Sequence, residues 1–93
     1  MRLPRIHMDF NTNSLSNRST ALDIERQGIT LYEGMPAVFY DRDGEDGKLG
    51  YLHVQGTVYS DAQRNTFWID FFEMNLRFTP GDDLSVLDAE YPE

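Results

Sequence analysis

The chain has 93 residues, a length that predicts one domain with a small core and leaves no room for a second. The absence of cysteine excludes disulfides, thiolate metal sites and cysteine nucleophiles. The net charge of −8 arises entirely from residues 41–93, and an acidic surface of this kind disfavours nucleic acid and anionic membranes. No apolar run suits a signal peptide or a membrane span, so we expect a cytoplasmic protein.

The first predicted element is a half-buried strand over residues 5–10, where Ile6, Met8 and Phe10 alternate with polar residues. Pro4 alone would hinder its edge from pairing with a second copy, so a homodimer through this edge is a further expectation. Residues 11–17 are polar and predict a loop. For residues 20–31 the alternation favours strand–turn–strand over the alternative, a short helix over 21–27 that ends at Gly28.

The central region predicts strands at residues 35–40, 51–59 and 66–72. Residues 41–48 are charged, contain two glycines and predict a loop. Gly56, inside the clearest strand, indicates a bulge or a close backbone approach. Residues 66–72 are apolar on both faces, which favours a central or doubly covered strand.

A last strand is expected over residues 74–78, where Met74, Leu76 and Phe78 alternate with polar residues. Together these elements predict a mainly β fold, a small antiparallel meander or β-barrel of SH3-like or PilZ-like type, because closure would remove exposed edges. Residues 1–80 would form this β domain. Residues 81–93 would form an acidic tail or a short helix that begins near Asp82 and Asp83.

Clustered carboxylates in the charged loop are a candidate calcium site. The candidate ligands are Asp41, Asp43, Glu45 and Asp46. The spacing does not match an EF-hand, since Asp46 stands where glycine is needed and Leu52 stands where the bidentate glutamate is needed. A solvated turn is therefore favoured over a calcium site, and no cofactor is predicted.

Two histidines, His7 and His53, lie on the polar faces of predicted strands. If the strands were neighbours, the two rings and Asp9 could hold a metal, although an exposed cross-strand pair is the favoured interpretation. Asp70, among aromatic residues, is a candidate acid, yet its commoner role is pairing with a base such as Arg77. Without a nucleophile motif, an enzyme is not favoured.

Three aromatic residues, Tyr51, Tyr59 and Trp68, are the candidate binding residues. Such side chains can stack on single-stranded nucleic acid, but the acidic charge favours a protein partner instead. Packing in the core is the structural alternative. We therefore expect a small acidic binding module for a protein, with a nucleotide- or calcium-binding barrel and a small enzyme as the alternatives.

Two resemblances bear on this expectation. Residues 4–11 (PRIHMDFN) and 29–35 (ITLYEGM) resemble a group of short, acidic bacterial proteins with a PRI-x-x-DFN start, which implies a bacterial or phage origin and no activity. Residues 23–31 resemble a strand start of PilZ domains, β-barrels that bind cyclic di-GMP. Glu25 replaces the serine of those domains and the paired arginines are absent, so this resemblance implies a fold and no ligand.

Overall fold

The computed structural model describes residues 3–10, 15, 18–45, 47–63 and 66–92. It forms one five-stranded sheet with helical segments packed against it. In chain order the elements are β1 (Arg5–His7), α1 (Arg18–Gln27), β2 (Pro36–Glu45), β3 (Lys48–Asp61), β4 (Thr66–Asp70), a first 3₁₀ turn (Glu73–Asn75), β5 (Arg77–Pro80), a second 3₁₀ turn (Leu84–Val86) and α2 (Leu87–Glu90).

The sheet is open and mixed. β1 pairs with β2 in parallel, and β2 pairs with β3 as an antiparallel hairpin. β4 and β5 lie end to end along the other edge of β3, where β5 faces residues 50–53 and β4 faces residues 57–61. Among the described strands none joins β1 to β4 or β5. The prediction of a mainly β fold is confirmed, and the prediction of a closed, antiparallel barrel is wrong.

Alternation along β3 gives the sheet one face that packs in the main core and one that is covered in part. The first face carries Val54 and Val58, both fully buried. The other buried members of the main core are Ile6, Met8, Leu15, Met35, Ala37, Phe39 and Ile69. The opposite face, called here the tyrosine face, carries Tyr51, His53, Gln55, Thr57 and Tyr59 along β3. Because the main core covers one face and residues 83–92 cover part of the other, the sheet need not close on itself to bury these apolar residues.

Residues 18–27 form a helix, so the preference for strand–turn–strand is wrong and the helical alternative is correct. The helix ends in a Schellman motif, in which Gly28 has φ 69° and its N–H donates to Glu25 O over 3.1 Å. The N–H of Ile29 donates to Ile24 O, also over 3.1 Å, and both isoleucine side chains pack against the main core. This apolar contact across the cap stabilises the helix where local alternation suggested a strand.

The helix α1 also occupies the outer edge of β1. Asp23 Oδ2 accepts from the backbone N–H of His7 at 3.0 Å, and Gln27 Nε2 donates to Arg5 O at 2.7 Å. Asp23 and Gln27 are four residues apart and so share one helix face. The edge through which the sequence predicts pairing between two copies is therefore hydrogen-bonded within the chain.

The charged residues 41–45 lie within β2, so the prediction of a loop over 41–48 is wrong. Glu45 pairs with Lys48, and Gly47 between them takes the positive φ of 76° that a turn of this length requires. The expected strand over 74–78 is also wrong in part. Residues 73–75 form a 3₁₀ turn, and β5 begins only at Arg77.

The predicted position of β4 is likewise corrected. β4 pairs with β3 alone among the described strands, and so it is an edge strand. The backbone N–H of Leu15 donates to Phe67 O at 3.0 Å, which covers part of its outer edge. Its side chains alternate between the main core and the tyrosine face, which is why apolar residues occur on both of its faces.

The C-terminal segment, residues 83–92, folds back onto the tyrosine face. Asp83 caps its first turn by accepting from the N–H of Ser85 at 2.9 Å, and the predicted short helix is present as α2. Leu87 is fully buried against Val38 and Tyr51. Arg5 donates to Asp88 at 2.7 Å. No helix in the described ranges has the length and apolar character to cross a membrane.

Candidate functional site

The C-terminal segment covers one half of the tyrosine face and leaves the other half open. Tyr51 and His53 lie beneath it and are 7% and 0% exposed. From Gln55 onward the outward-facing residues are exposed, and Tyr59 is 39% exposed. Trp68 of β4 faces Tyr59 in register, and Asp70 faces Thr57. We call this surface the open face: Gln55, Thr57, Tyr59, Trp68 and Asp70.

Three hollows adjoin the open face. The largest is a groove of about 530 Å³ between the open face and the C-terminal segment. Its lining residues are Gln55, Met74, Asn75, Arg77, Glu90 and Tyr91. Two further hollows, of about 360 and 390 Å³, share Tyr59. Concave surface of this size, next to exposed aromatic and thioether side chains, is typical of a binding surface.

Met74 gives the groove its apolar wall. It sits in the 3₁₀ turn between β4 and β5 and is 95% exposed. The turn exists because β3 residues 54–56 have no register partner on this edge, so the chain leaves β4, turns and rejoins the sheet at Arg77. A large apolar side chain held out on a short turn is not needed for the core, and it is available to a partner.

Acidic side chains border the open face. Glu33 and Asp70 line one of the hollows beside Tyr59, and Asp61 lines the other. Glu33 is held in place because its carboxylate accepts from the backbone N–H of Ser60. The groove adds Glu90, which faces Arg77 with the Nη1 and Oε2 atoms 3.4 Å apart. The border of the site thus matches the acidic character of residues 41–93 and suits a basic partner.

Beneath the C-terminal segment lies a buried polar network centred on His53. Thr79 Oγ1 donates to Glu90 Oε1 at 3.1 Å, so it must accept from His53 Nε2, 2.7 Å away. The ring is therefore the Nε2–H tautomer, and its Nδ1 accepts from the Tyr91 hydroxyl at 2.8 Å. The two rings also meet edge to face, with centroids 5.4 Å apart. A neutral imidazole satisfies every one of these bonds.

Burial shifts the ionisation of this network toward neutral forms. It lowers the pKa of His53, and this effect outweighs the opposing attraction of Glu90. Burial likewise raises the pKa of Tyr91, against the smaller opposing influence of Arg77. Both aromatic groups are therefore uncharged at neutral pH, and Tyr91, whose hydroxyl donates to His53, is also one of the residues that line the groove.

The structure separates the three aromatic residues that the sequence proposed as binding residues. Tyr59 and Trp68 lie side by side on the open face, as a binding surface requires. Tyr51 is buried in the second core, its hydroxyl accepts from Arg42 Nη1 at 2.7 Å, and the guanidinium lies over its ring. Burial removes Tyr51 from any surface that a partner can reach.

The candidate calcium ligands are only partly described. Asp46 and the side chain of Glu45 lie outside the described residues. Asp41 Oδ1 lies 3.2 Å from His7 Nε2, and burial raises the pKa of Asp41 despite the histidine beside it. Asp43 accepts from the N–H of Gly44 at 2.8 Å. Within the part of the chain that the structure describes, no three His, Asp or Glu side chains gather as metal ligands.

The two histidines do not form the pair that the sequence allowed. Tyr40 lies between them in the sheet, in register with His7 on one side and with His53 on the other. The His7 ring packs edge to face on Tyr40, with centroids 5.6 Å apart. Asp70, the candidate acid, is exposed on the open face and not enclosed among aromatic rings.

Sequence reasoning missed the groove, because its walls come from separate parts of the chain. Met74 was assigned to a strand, and Glu90 and Tyr91 were assigned to a tail or a short helix without a role. Tyr91 is an aromatic residue in an otherwise acidic C-terminal stretch, and this was the available signal that the stretch is anchored. Comparisons with protein-family models, with curated proteins and with solved structures found no match for this chain.

Proposed function

We propose that this protein is a small binding module whose open face contacts a protein partner with a basic segment. The observation that carries the proposal is the incomplete cover of the tyrosine face: Tyr59, in register with the half-buried Trp68, is 39% exposed, whereas Tyr51 beneath the C-terminal segment is 7% exposed. Tyrosine, tryptophan and methionine are enriched at protein interfaces.

The partner's chemistry follows from the border of the site. Glu33, Asp61 and Asp70 surround Tyr59, so basic side chains would meet complementary charge there. Met74 and the groove beside it would receive an apolar side chain of the same segment. A polar border around an apolar centre is the usual anatomy of a protein interface.

Nucleotide or calcium binding and catalysis are less well supported. The groove holds one arginine, and that arginine already faces Glu90, which is poor chemistry for a phosphate. The carboxylates of Asp41 and Asp43 lie on a strand within the β2–β3 hairpin and not on a loop that could wrap an ion. The cytoplasmic location and bacterial origin expected from the sequence stay predictions.

The proposal is tested by affinity capture from cell extract with immobilised protein, read by quantitative mass spectrometry. Tyr59→Ser removes the central aromatic ring. Tyr32→Ser is the matched control, because Tyr32 is 56% exposed and lies outside the open face. We expect a protein captured by the wild type to be retained by Tyr32→Ser and to fall at least tenfold with Tyr59→Ser, in line with the loss of an interface anchor.

The salt dependence of capture tests the role of charge in the same experiment. Capture should weaken as salt rises from about 50 to 500 mM, because acidic and basic groups at an interface border are screened by salt. Equal capture by Tyr59→Ser and Tyr32→Ser, or capture that is indifferent to salt, would overturn the proposal. A failure of the wild type to enrich any protein would do the same.

A further inference from the structure

One histidine lies at the centre of the polar bonds that attach the C-terminal segment to the tyrosine face. Tyr91 bonds to His53 Nδ1, and Glu90 bonds to Thr79, which accepts from His53 Nε2. These bonds join the segment to β3 and β5. The ion pair of Glu90 with Arg77, the buried side chain of Leu87 and the bond from Arg5 to Asp88 also attach it.

These hydrogen bonds suit the neutral ring of His53 and disfavour its protonated, positively charged form. Protonation would place a proton on Nδ1, so the Tyr91 hydroxyl would have to turn and accept, and its own proton would lose the acceptor that it has now. The ring is 0% exposed, so its charge would be cut off from water. Arg77, its register partner on β5, would repel the cation, and Glu90 would attract it.

The remaining groups around the ring carry no charge at neutral pH. From β2, Tyr40 is in register with His53, and burial raises the pKa of Tyr40. From the C-terminal segment, Tyr91 is likewise kept neutral by burial, with Arg5 among the charges that act on it. Among the described residues, Glu90 is the carboxylate that attracts a charge on His53, and it leaves together with the C-terminal segment.

We propose that protonation of His53 releases the C-terminal segment from the tyrosine face, so that the open face extends over His53 and Tyr51 in mildly acidic solution. The release concerns this chain alone. Its consequence, a partner-binding surface whose extent depends on pH, rests on the proposed function.

The magnitude follows from linkage between protonation and docking. An exposed histidine titrates near pH 6.5, whereas the docked ring resists protonation, so lowering the pH to 5.5 favours the released form by up to about tenfold, the limit for a ring that stays neutral while docked. The stability of docking is fully present above pH 6.5 and declines as the pH falls below that value. Hydrogen exchange reports this directly, since the N–H of Tyr91 bonds to Leu87 O at 2.9 Å when docked.

The experiment is hydrogen exchange with mass spectrometry on the full chain without partner, at pH 7.5 and pH 5.5, corrected for intrinsic rates. We expect protection in a peptide covering residues 84–92 to fall at pH 5.5, by up to about tenfold, while protection in β3 stays unchanged. His53→Gln should abolish the pH effect. His7→Gln is the matched control and should keep it, because His7 makes no bond to the segment. Protection that is equal at the two pH values would overturn the inference, and so would a pH effect that survives in His53→Gln.

A second measurement keeps the inference testable if His53→Gln does not fold. Nitrogen NMR of the wild-type protein should show the Nε2–H tautomer of His53 and give its pKa. Glu90→Gln should lower that pKa and Arg77→Gln should raise it, because the two charges act on the ring with opposite sign. A His53 ring protonated on Nδ1 at neutral pH, or pKa changes of the opposite sign in the two variants, would overturn the inference. The capture experiment on Tyr59 would still test the proposed function separately.

Discussion

Leu87→Ala perturbs the docking of the C-terminal segment at its apolar centre. Leu87 is 0% exposed and packs against Val38 and Tyr51, which are 0% and 7% exposed. Truncation of a leucine in such a site costs about 2–5 kcal/mol, since transfer energy is lost and a cavity remains. A urea m-value of about 1–1.5 kcal/mol/M for a chain of this size then predicts a midpoint lower by roughly 1.3 M or more.

Leu22→Ala is the matched control. Leu22 is 48% exposed on α1, so the same chemical change should alter the free energy of unfolding by no more than about 0.5 kcal/mol. Chemical denaturation followed by the fluorescence of Trp68, the single tryptophan of the chain, measures both variants. If Leu87→Ala were as stable as Leu22→Ala, the C-terminal segment would not be packed as described.

Three further predictions concern close packing, pH and calcium. Gly50→Ala should destabilise the fold by about 1–3 kcal/mol in denaturation, because its Cβ would lie 2.4 Å from a backbone oxygen of β5. Gly44→Ala is the control: its Cβ would have ordinary contacts of 3.7 Å, so stability should change by less than about 0.5 kcal/mol. Equal effects of the two substitutions would contradict the register of β5. The free energy of unfolding should fall as the pH drops below 6.5, by up to about 1.4 kcal/mol per pH unit for one proton. The reason is that the pKa of His53 is lower in the fold than in the unfolded chain. A free energy that stays constant between pH 7 and 5.5 would contradict the buried, neutral ring. Calcium up to about 1 mM should leave the melting temperature of the wild type unchanged, whereas a rise that is lost when Asp41 and Asp43 are both replaced by asparagine would establish a calcium site.

Period-two patterns in the sequence located β3 well, whereas half of β2 was predicted as a loop. The alternation over residues 51–59 assigned each side chain of β3 to its correct face, because a strand that packs on both sides must keep that period throughout. Of the two interpretations of Gly56, a bulge or a close backbone approach, the close approach is confirmed, since its Cβ would lie 2.7 Å from Asp70 O. The alternation is set by neighbours along the strand, so the local sequence is enough to predict it.

The helix α1 was misassigned because residues 20–25 also alternate like a strand. Its apolar residues are few, and Leu22 stays exposed. Its stability comes from the Schellman cap at Gly28 and from Asp23 and Gln27, which bond to β1 across 16 and 22 positions of the chain. Local propensity carries no information on bonds of that range.

The open sheet and the groove could not be predicted from the sequence, for a related reason. Whether a sheet closes depends on what covers its faces, and here Leu87 and Tyr91 cover Tyr51 and His53 from the far end of the chain. The aromatic pair at Tyr59 and Trp68 was found because both alternate outward. That Tyr51 is buried while these two residues are not could be seen only once the docked position of the C-terminal segment was known.

Covalent footprinting in solution tests the central claim, that the C-terminal segment covers half of the tyrosine face and leaves the other half open. Tyrosine-reactive labelling at pH 7.5, located by mass spectrometry, compares chemically identical side chains on the same strand. We predict strong modification of Tyr59 and Tyr32 and several-fold slower modification of Tyr51, following their 39%, 56% and 7% exposure. Modification of Tyr51 at the rate of Tyr59 would contradict the account.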